Sequence, residues 1–376
     1  MKTLKPAYYD DFYCLADKCD YTCCMDWGIH LNPEEAARYR TLADGAYASY
    51  ITEDERGARI CFNEDGLCPM LTDNGLCSLV LKHGMDSISN ICDDYPRFVT
   101  EYSNQQEYHL SNGCREVLSY FLKTPVPMRF AWGEAESFPR ADKRDFSDRM
   151  MRARWDAVAL MQLSELPIWI RVFILRKYAL DSHDFSKDYD DVQKKYFRGD
   201  TILGIYQSLQ AVPDNLSMKL SMLHQLITDF NESAKGKRAY RMHIEMLQDE
   251  LARLVGGDVD EVMSSWDDFN SEMEKFRDFF EHFCVNYLYT HVEVICEQGM
   301  FADAMTVLML ELALIKGTLF LAWRHEGRKL SETRLLHISS YYARMIEHSI
   351  MVHIEFVRNN DSHPWFTDAG YLYLLR

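Results

Sequence analysis

Eight cysteines stand in one ordered array near the start of the chain: Cys14, Cys19, Cys23 and Cys24, then Cys68, Cys77, Cys92 and Cys114. With Cys61, nine of the 11 cysteines fall in the first third of the sequence. Thiols packed this densely form disulfides or hold a soft metal or an iron–sulfur cluster. The first residues, MKTLKPAYYDDFYCLADKCD, carry no apolar core and no small-residue cleavage site, so they do not read as a signal peptide. The expected location is the cytoplasm, where structural disulfides are rare and clustered thiols read as metal-binding or redox-active. Cys284 and Cys296 lie on apolar helical patterns and read as small core residues.

The spacing is specific in its details. Four cysteines cluster in sequence within residues 14–24, whereas Cys68, Cys77, Cys92 and Cys114 come from loops and helix starts. Eight thiols exceed one four-ligand site, so one site with spare thiols and two sites both remain open. Cys23 and Cys24 are adjacent, so both need not bind one metal atom. The Cys-x3-Cys-x2-Cys run of radical enzymes is not matched, because after Cys19 and Cys23 its third position is Asp26. No Gly-x-Gly-x-x-Gly segment follows a strand, which removes support for a Rossmann-type cofactor fold.

The elements that must position these residues divide in two. Residues 1–124 hold the cysteines, short apolar segments and turn dipeptides (Asp65-Gly66, Asn74-Gly75) and read as an irregular α/β metal-binding module. Arg59–Phe62 reads as a short strand. Asn32-Pro33-Glu34-Glu35 is a helix start with a cap, a proline and acids in order. Cys114 is expected in the first turn of a helix, where the dipole favours a thiolate. Lys123-Thr-Pro-Val-Pro-Met128 reads as a linker. Residues 125–376 are expected to be all-helical, with helices near 215–230, 238–255, 269–297, 301–323 and 331–358. The fold class is therefore mainly α. The stretch Ala304–Trp323 is apolar enough to raise the question of a membrane span. Glu311 and Lys316 interrupt it, and it reads as a buried core helix.

Composition narrows the partners. The chain has 376 residues and a net charge of −17. Such a surface repels phosphate backbones and favours a lysine-bearing protein over nucleic acid.

Together, Cys14-x4-Cys19-x3-Cys23-Cys24-x2-Trp27, Cys68-Pro69-x-Leu71 with Gly75-Leu76-Cys77, Cys92-x2-Tyr95-Pro96-Arg97 and Leu110-Ser111-x2-Cys114 resemble the flagellin lysine N-methylase family, within a wider cysteine-rich zinc- or iron-chelating group. Pro167-x3-Arg171 and Arg344-x2-Glu347-His348-Ser349 are similar to family positions further on. The resemblance implies methyl transfer from S-adenosylmethionine to lysines of flagellin or a similar bacterial filament protein. It also implies a [4Fe–4S] cluster held by cysteines among the eight. It carries over no residues for S-adenosylmethionine and leaves open which four cysteines bind the cluster.

A lysine must lose its proton before it attacks a methyl group, since its free pKa is about 10.4. Glu347, His348, Asp93 and Asp94 are the candidate bases, and Tyr95 and Arg97 the candidate positioning residues. Each has a bland alternative. Asp93-Asp94 could be a solvated turn, Glu347 could pair with Arg344 at i, i+3, and His348 could be a satisfied helix histidine. Tyr95 could be core packing and Arg97 a surface residue. Two other functional classes compete: a non-catalytic zinc- or iron-binding interaction protein, and a redox sensor with reversible disulfides.

Overall fold

The computed structural model describes residues 1–376 except 26, 214, 234–245, 248, 255, 258, 361–362 and 364–365. Asp26 and part of the helix expected over 238–255 lie outside the described residues.

The chain is mainly helical with a small mixed sheet. It opens with β1 (Lys2–Pro6), α1 (Pro33–Gly45), a hairpin of β2 (Ile51–Asp54) and β3 (Gly57–Ile60), and short helices α2 (Ser78–His83) and α3 (Asn90–Asp94). There follow β4 (Arg97–Tyr102), β5 (Gln105–Leu110), α4 (Arg115–Phe121), β6 (Phe130–Glu134) and β7 (Asp142–Arg144). The strand order in the sheet is β6-β1-β5-β4-β7. Leu4 in β1 pairs with Glu107 in parallel register on one side and with Trp132 in antiparallel register on the other.

Helix α1 starts as its sequence dictates. The Asn32 side chain accepts from the Glu35 N–H, and a Glu35 carboxylate oxygen accepts from the Asn32 N–H, both at 2.9 Å. This reciprocal cap satisfies two donors that a helix start leaves orphaned. The other Glu35 oxygen accepts from the Asn90 N–H at 2.6 Å. One carboxylate thus starts α1 and anchors α3, the helix that carries Cys92.

The second part is not all-helical. Strands β6 and β7 come from residues beyond 124 and complete both sides of the sheet, because the outer edges of β1 and β4 carry unpaired backbone groups that need partners. The expected linker is also more than a spacer: Met128 is buried in the large core, and its carbonyl accepts from the Gln162 amide at 2.9 Å. Beyond it lie α5 (Asp148–Met161), α6 (Ile168–Ser182), α7 (Tyr189–Tyr196), α8 (Gly199–Gln210), α9 (Leu216–Ser233), α10 (Val259–Met273) and α11 (Arg277–Thr290). The chain continues with α12 (Val292–Ile295), α13 (Phe301–His325), α14 (Glu332–Glu347), α15 (Ile350–Asn359) and α16 (Asp368–Leu375). The helix expected over 269–297 breaks at Glu274–Phe276 and again at His291, and the one over 331–358 breaks at His348-Ser349. There the Ser349 hydroxyl returns to the Met345 carbonyl at 2.7 Å, competing with the helical ladder.

Two hydrophobic clusters dominate the interior, beside a minor one of Met150, Val292 and Cys296. The large one runs from Tyr8, Phe12 and Tyr21 through α4 into all the long helices. The small one gathers Ile29, Leu31, Tyr39, Ile60, Met70 and Leu79 around α1 and the hairpin. Helix α13 is the axis of the large cluster. It is long and apolar enough to cross a membrane, but 94% of that apolar window is buried inside the protein. Core packing therefore accounts for its apolarity.

Between sheet and helices lies a fully buried ion pair. Arg154 on α5 meets Glu107 on β5 at 2.7 Å and also donates to the carbonyls of Leu288 and Tyr289. Glu107→Ala strands that guanidinium in the interior. A loss of roughly 3–5 kcal/mol in unfolding free energy, read by urea denaturation, is expected; a change below about 1 kcal/mol contradicts the assignment.

Candidate metal centre and its polar wall

Each array cysteine is placed by a local device. Cys14 and Cys19 flank the short turn Ala16–Lys18, where the Ala16 N–H approaches the Cys14 sulfur at 3.4 Å. The Cys23 carbonyl accepts from the Trp27 indole at 2.6 Å, and the Cys24 carbonyl accepts from the Cys68 N–H at 2.9 Å. That last bond ties the first cysteine segment to the second. Cys77 and Cys114 are the cap residues of α2 and α4, and Cys92 sits inside α3 behind the buried Ser89. The expected arrangement of loops and helix starts is the one observed.

These devices converge. Cys14, Cys19, Cys23, Cys24, Cys77 and Cys114 line one cavity of about 260 Å³, shared with Tyr95 and Arg344. Cys68 and Cys92 stand behind it against the small core. Cys23 is the hub, near enough for its charge to act on Cys19, Cys68, Cys92 and Cys114. The array occupies the seam between the clusters: Cys24, Cys68, Cys77 and Cys92 pack on the small one and Cys114 on the large one. Cys61 is exposed and takes no part in the cavity, and Cys284 and Cys296 are buried in the core, as read from the sequence.

All eleven cysteines are free thiols. Burial pushes Cys68 up to about 12, Cys92 to about 11 and Cys114 to about 12. The Glu116 and Val117 N–H groups at the start of α4 pull Cys114 the other way, as expected of a helix start, but burial outweighs them. Cys23 is raised well above an ordinary thiol by its hydrogen bond with Cys24, then by burial and the charge of Cys24, and only partly lowered by Arg344.

Arg344 on α14 is the buried cation of the site. Its guanidinium donates to the Thr22 carbonyl at 2.8 Å and to the Gly113 carbonyl at 3.2 and 3.3 Å, and lies 4.5 Å from the Tyr21 ring centroid. It thus holds together the backbone beside Cys23 and the backbone beside Cys114. Among the described residues, no three His, Cys, Asp or Glu stand close enough to hold one metal ion. The donor chemistry nevertheless fits a soft metal or an iron–sulfur group: many thiols, half-buried, beside a positive charge that offsets thiolate formation.

The other candidates separate. Asp93 and Asp94 end α3 and both pair with Arg140 at the surface, away from the cavity. Arg97 is half-buried: it donates to the Phe12 carbonyl at 2.8 Å and lies 4.7 Å from the Phe12 ring, holding the segment that leads to Cys14. Tyr95 lines the cavity, its hydroxyl buried and unbonded among the described residues. His348 packs against Trp27 and Tyr95, at 4.7 and 5.7 Å between ring centroids. Burial, then the charges of Arg344 and His291, lower it to about 3, so it is neutral and a poor base. Glu347 does not pair with Arg344. It accepts from the Ser111 hydroxyl at 3.0 Å and faces His291 at 3.7 Å. Arg171 is buried and pairs with Glu281 at 2.6 Å, a core role.

Sequence reasoning missed His291 and noted Glu311 only as a charge interrupting an apolar run. Both are buried beside Glu347. Nothing local marks His291; its role follows from the break between α11 and α12.

In metal-free, reduced protein at pH 8, the exposed Cys14 and Cys61 should be alkylated first by iodoacetamide, with Cys68 and Cys114 last, as followed by peptide mass spectrometry. Equal rates at Cys68 and Cys14 contradict the burial described.

The family model described as FliB lysine N-methylase C-terminal domain matches residues 156–374. That span holds α6 to α16, Arg344 and Glu347, while the whole cysteine array precedes it. The flagellar biosynthetic protein FliU of Salmonella muenchen is 30% identical over 145 residues, covering 36% of this chain and 85% of that protein. The lysine-N-methylases of Salmonella choleraesuis (strain SC-B67) and Salmonella typhimurium are each 28% identical over 133 residues, a third of this chain and a third of theirs. No solved structure matches the chain. With more than half of its length matched by that model, the chain belongs to the FliB lysine N-methylase C-terminal domain family.

Proposed function

We propose that the protein methylates lysine side chains of flagellin or a similar bacterial filament protein in the cytoplasm, with S-adenosylmethionine as methyl donor. In this reading its array thiols hold a [4Fe–4S] cluster, with ligands drawn from Cys14, Cys19, Cys23, Cys24, Cys68, Cys77, Cys92 and Cys114. The observation that carries it is the convergence of six array cysteines on one cavity walled by Arg344, in a chain whose helical part matches a lysine N-methylase model. When bound, the cluster supplies a compact, thiolate-ligated charge centre at the seam of the two cores.

The residues of the chain have separable tasks. Arg344 offsets thiolate charge and fixes the two backbones that present Cys23 and Cys114. Its positive charge also favours loss of a proton from an ammonium group brought into the cavity. The apolar side chains Val80, Leu81 and Met85 line the same cavity. The net charge of −17 draws in a lysine-bearing partner.

A second reading has its own support. Cys24, Cys68, Cys77 and Cys92 all pack on the small core, and four thiols there suit a structural zinc in a non-catalytic interaction protein.

Anaerobically purified protein, given methyl-labelled S-adenosylmethionine and flagellin from the same cell, is expected to label lysines, with Cys23→Ser reducing the label to background. Absence of label with the folded, metal-loaded wild type contradicts the methylase reading.

A further inference from the structure

A second cavity lies apart from the cysteines and shares no lining residue with theirs. It measures about 350 Å³ and opens among the starts of α6 and α11, the ends of α10 and α16, and the middle of α13. Its apolar wall is built by Ile168, Trp169, Met273, Phe280 and Leu312. Three cations, Arg277, Lys316 and Arg376, stand on the wall against one carboxylate, Glu274. In a chain of net charge −17 that is a local reversal of sign.

Lys316 is the centre of that reversal. Its ammonium donates to the Leu375 carbonyl at 3.0 Å, and among the described residues it has no ion-pair partner. A second lysine crowds it. Gly317 brings α9 close against α13: a methyl group added there would meet Ile227 at 3.0 Å and Leu223 at 3.3 Å. Lys219 on α9 and Lys316 on α13 then approach the same Trp266 ring, each 5.0 Å from its centroid. Burial and then the charge of Lys219 lower Lys316 to about 7, with only Glu274 opposing. An anion in the cavity offsets that crowding.

The start of α6 adds donors. The Ile170 and Arg171 N–H groups both return to the Pro167 carbonyl, at 3.0 and 3.2 Å. The Ile168 and Trp169 N–H groups have no partner among the described residues, and Pro167 offers no side-chain cap. Open N–H groups at the positive end of a 15-residue helix favour an anion as well.

We propose that this cavity binds a small organic carboxylate with a flat apolar body, the carboxylate held by Lys316 and Arg277 and the ring lying against Trp169 and Phe280. The inference goes beyond the methylase reading and does not depend on it, since no residue of the cysteine cavity takes part. The volume falls within the ~300–1,000 Å³ of small-molecule sites. One negative charge fits better than two: Glu274 stands on the same wall, and Asp278 lies 3.6 Å from Arg277, so a phosphate dianion meets repulsion. Arginine and lysine beside aromatic rings recognise such a ligand through charge-assisted hydrogen bonds at one end and apolar contact at the other.

Isothermal titration of the full chain with 2-naphthoate, indole-3-acetate and the neutral 2-naphthamide tests this. Both acids should bind, at least about tenfold more tightly than the amide. Lys316→Gln keeps a donor for the Leu375 carbonyl but removes the charge, and should weaken both acids by about tenfold. Arg277→Gln, at the exposed rim, should weaken them by a smaller factor. Asn270→Trp fills the cavity from a half-buried position and should abolish binding with both cations still in place. No binding of either acid at about 1 mM overturns the proposal. So does equal affinity for acid and amide, or wild-type affinity in both Arg277→Gln and Asn270→Trp, which remain informative if Lys316→Gln fails to fold.

Discussion

A single buried guanidinium, that of Arg344, holds the candidate site together. Taking an arginine out of water costs several kcal/mol unless its donors are satisfied and its charge offset. Two backbone carbonyls, Thr22 and Gly113, meet the first need. Those carbonyls belong to the segments that carry Cys23 and Cys114, so satisfying the arginine also brings distant parts of the chain together. The second need is met only in part by the Tyr21 ring. Thiolates in the adjoining cavity would complete it, and the electrostatic benefit is mutual, since Arg344 lowers the proton affinity of Cys23 and Cys114.

The rest of the architecture serves that seam. The small core, with its capped α1 and the Glu35 bridge to α3, presents Cys24, Cys68, Cys77 and Cys92. The large core presents Cys114 and brings α14 across the top of the cavity. Behind α14, the helix break at His291 and the central helix α13 place an imidazole and two carboxyl groups where an apolar interior would be expected. The apolar length of α13 is explained by its burial, and Glu311, which looked like an interruption, lies beside Glu347 and His291.

What could be read from the sequence follows from how local each feature is. The cap at Asn32-Pro33, the helices over 215–230 and 301–323, and the helix-start position of Cys114 depend on neighbouring residues, and they stand as expected. The gathering of six array cysteines on one cavity was legible in their density along the sequence. The strands β6 and β7 were not, because an edge strand is defined by the partner it completes and not by its own pattern. The helix breaks at His291 and Ser349 were missed for a related reason: periodicity continues through a one-residue kink. Glu347, His348 and Arg97 were singled out, yet their partners came from segments far away in sequence. Spacing therefore suggested Arg344 for Glu347, where the structure supplies Ser111 and His291.

The central claim is that the thiols gathered around Cys23 close on an iron–sulfur group at the seam between the two cores. Anaerobic purification followed by iron, acid-labile sulfide and zinc analysis, with an absorption spectrum, tests it most directly. Iron and sulfide near about four each per chain, with a thiolate-to-iron absorption band, are the predicted result. Stoichiometric zinc without sulfide would contradict it and place the four cysteines of the small core at the centre of a structural zinc site instead.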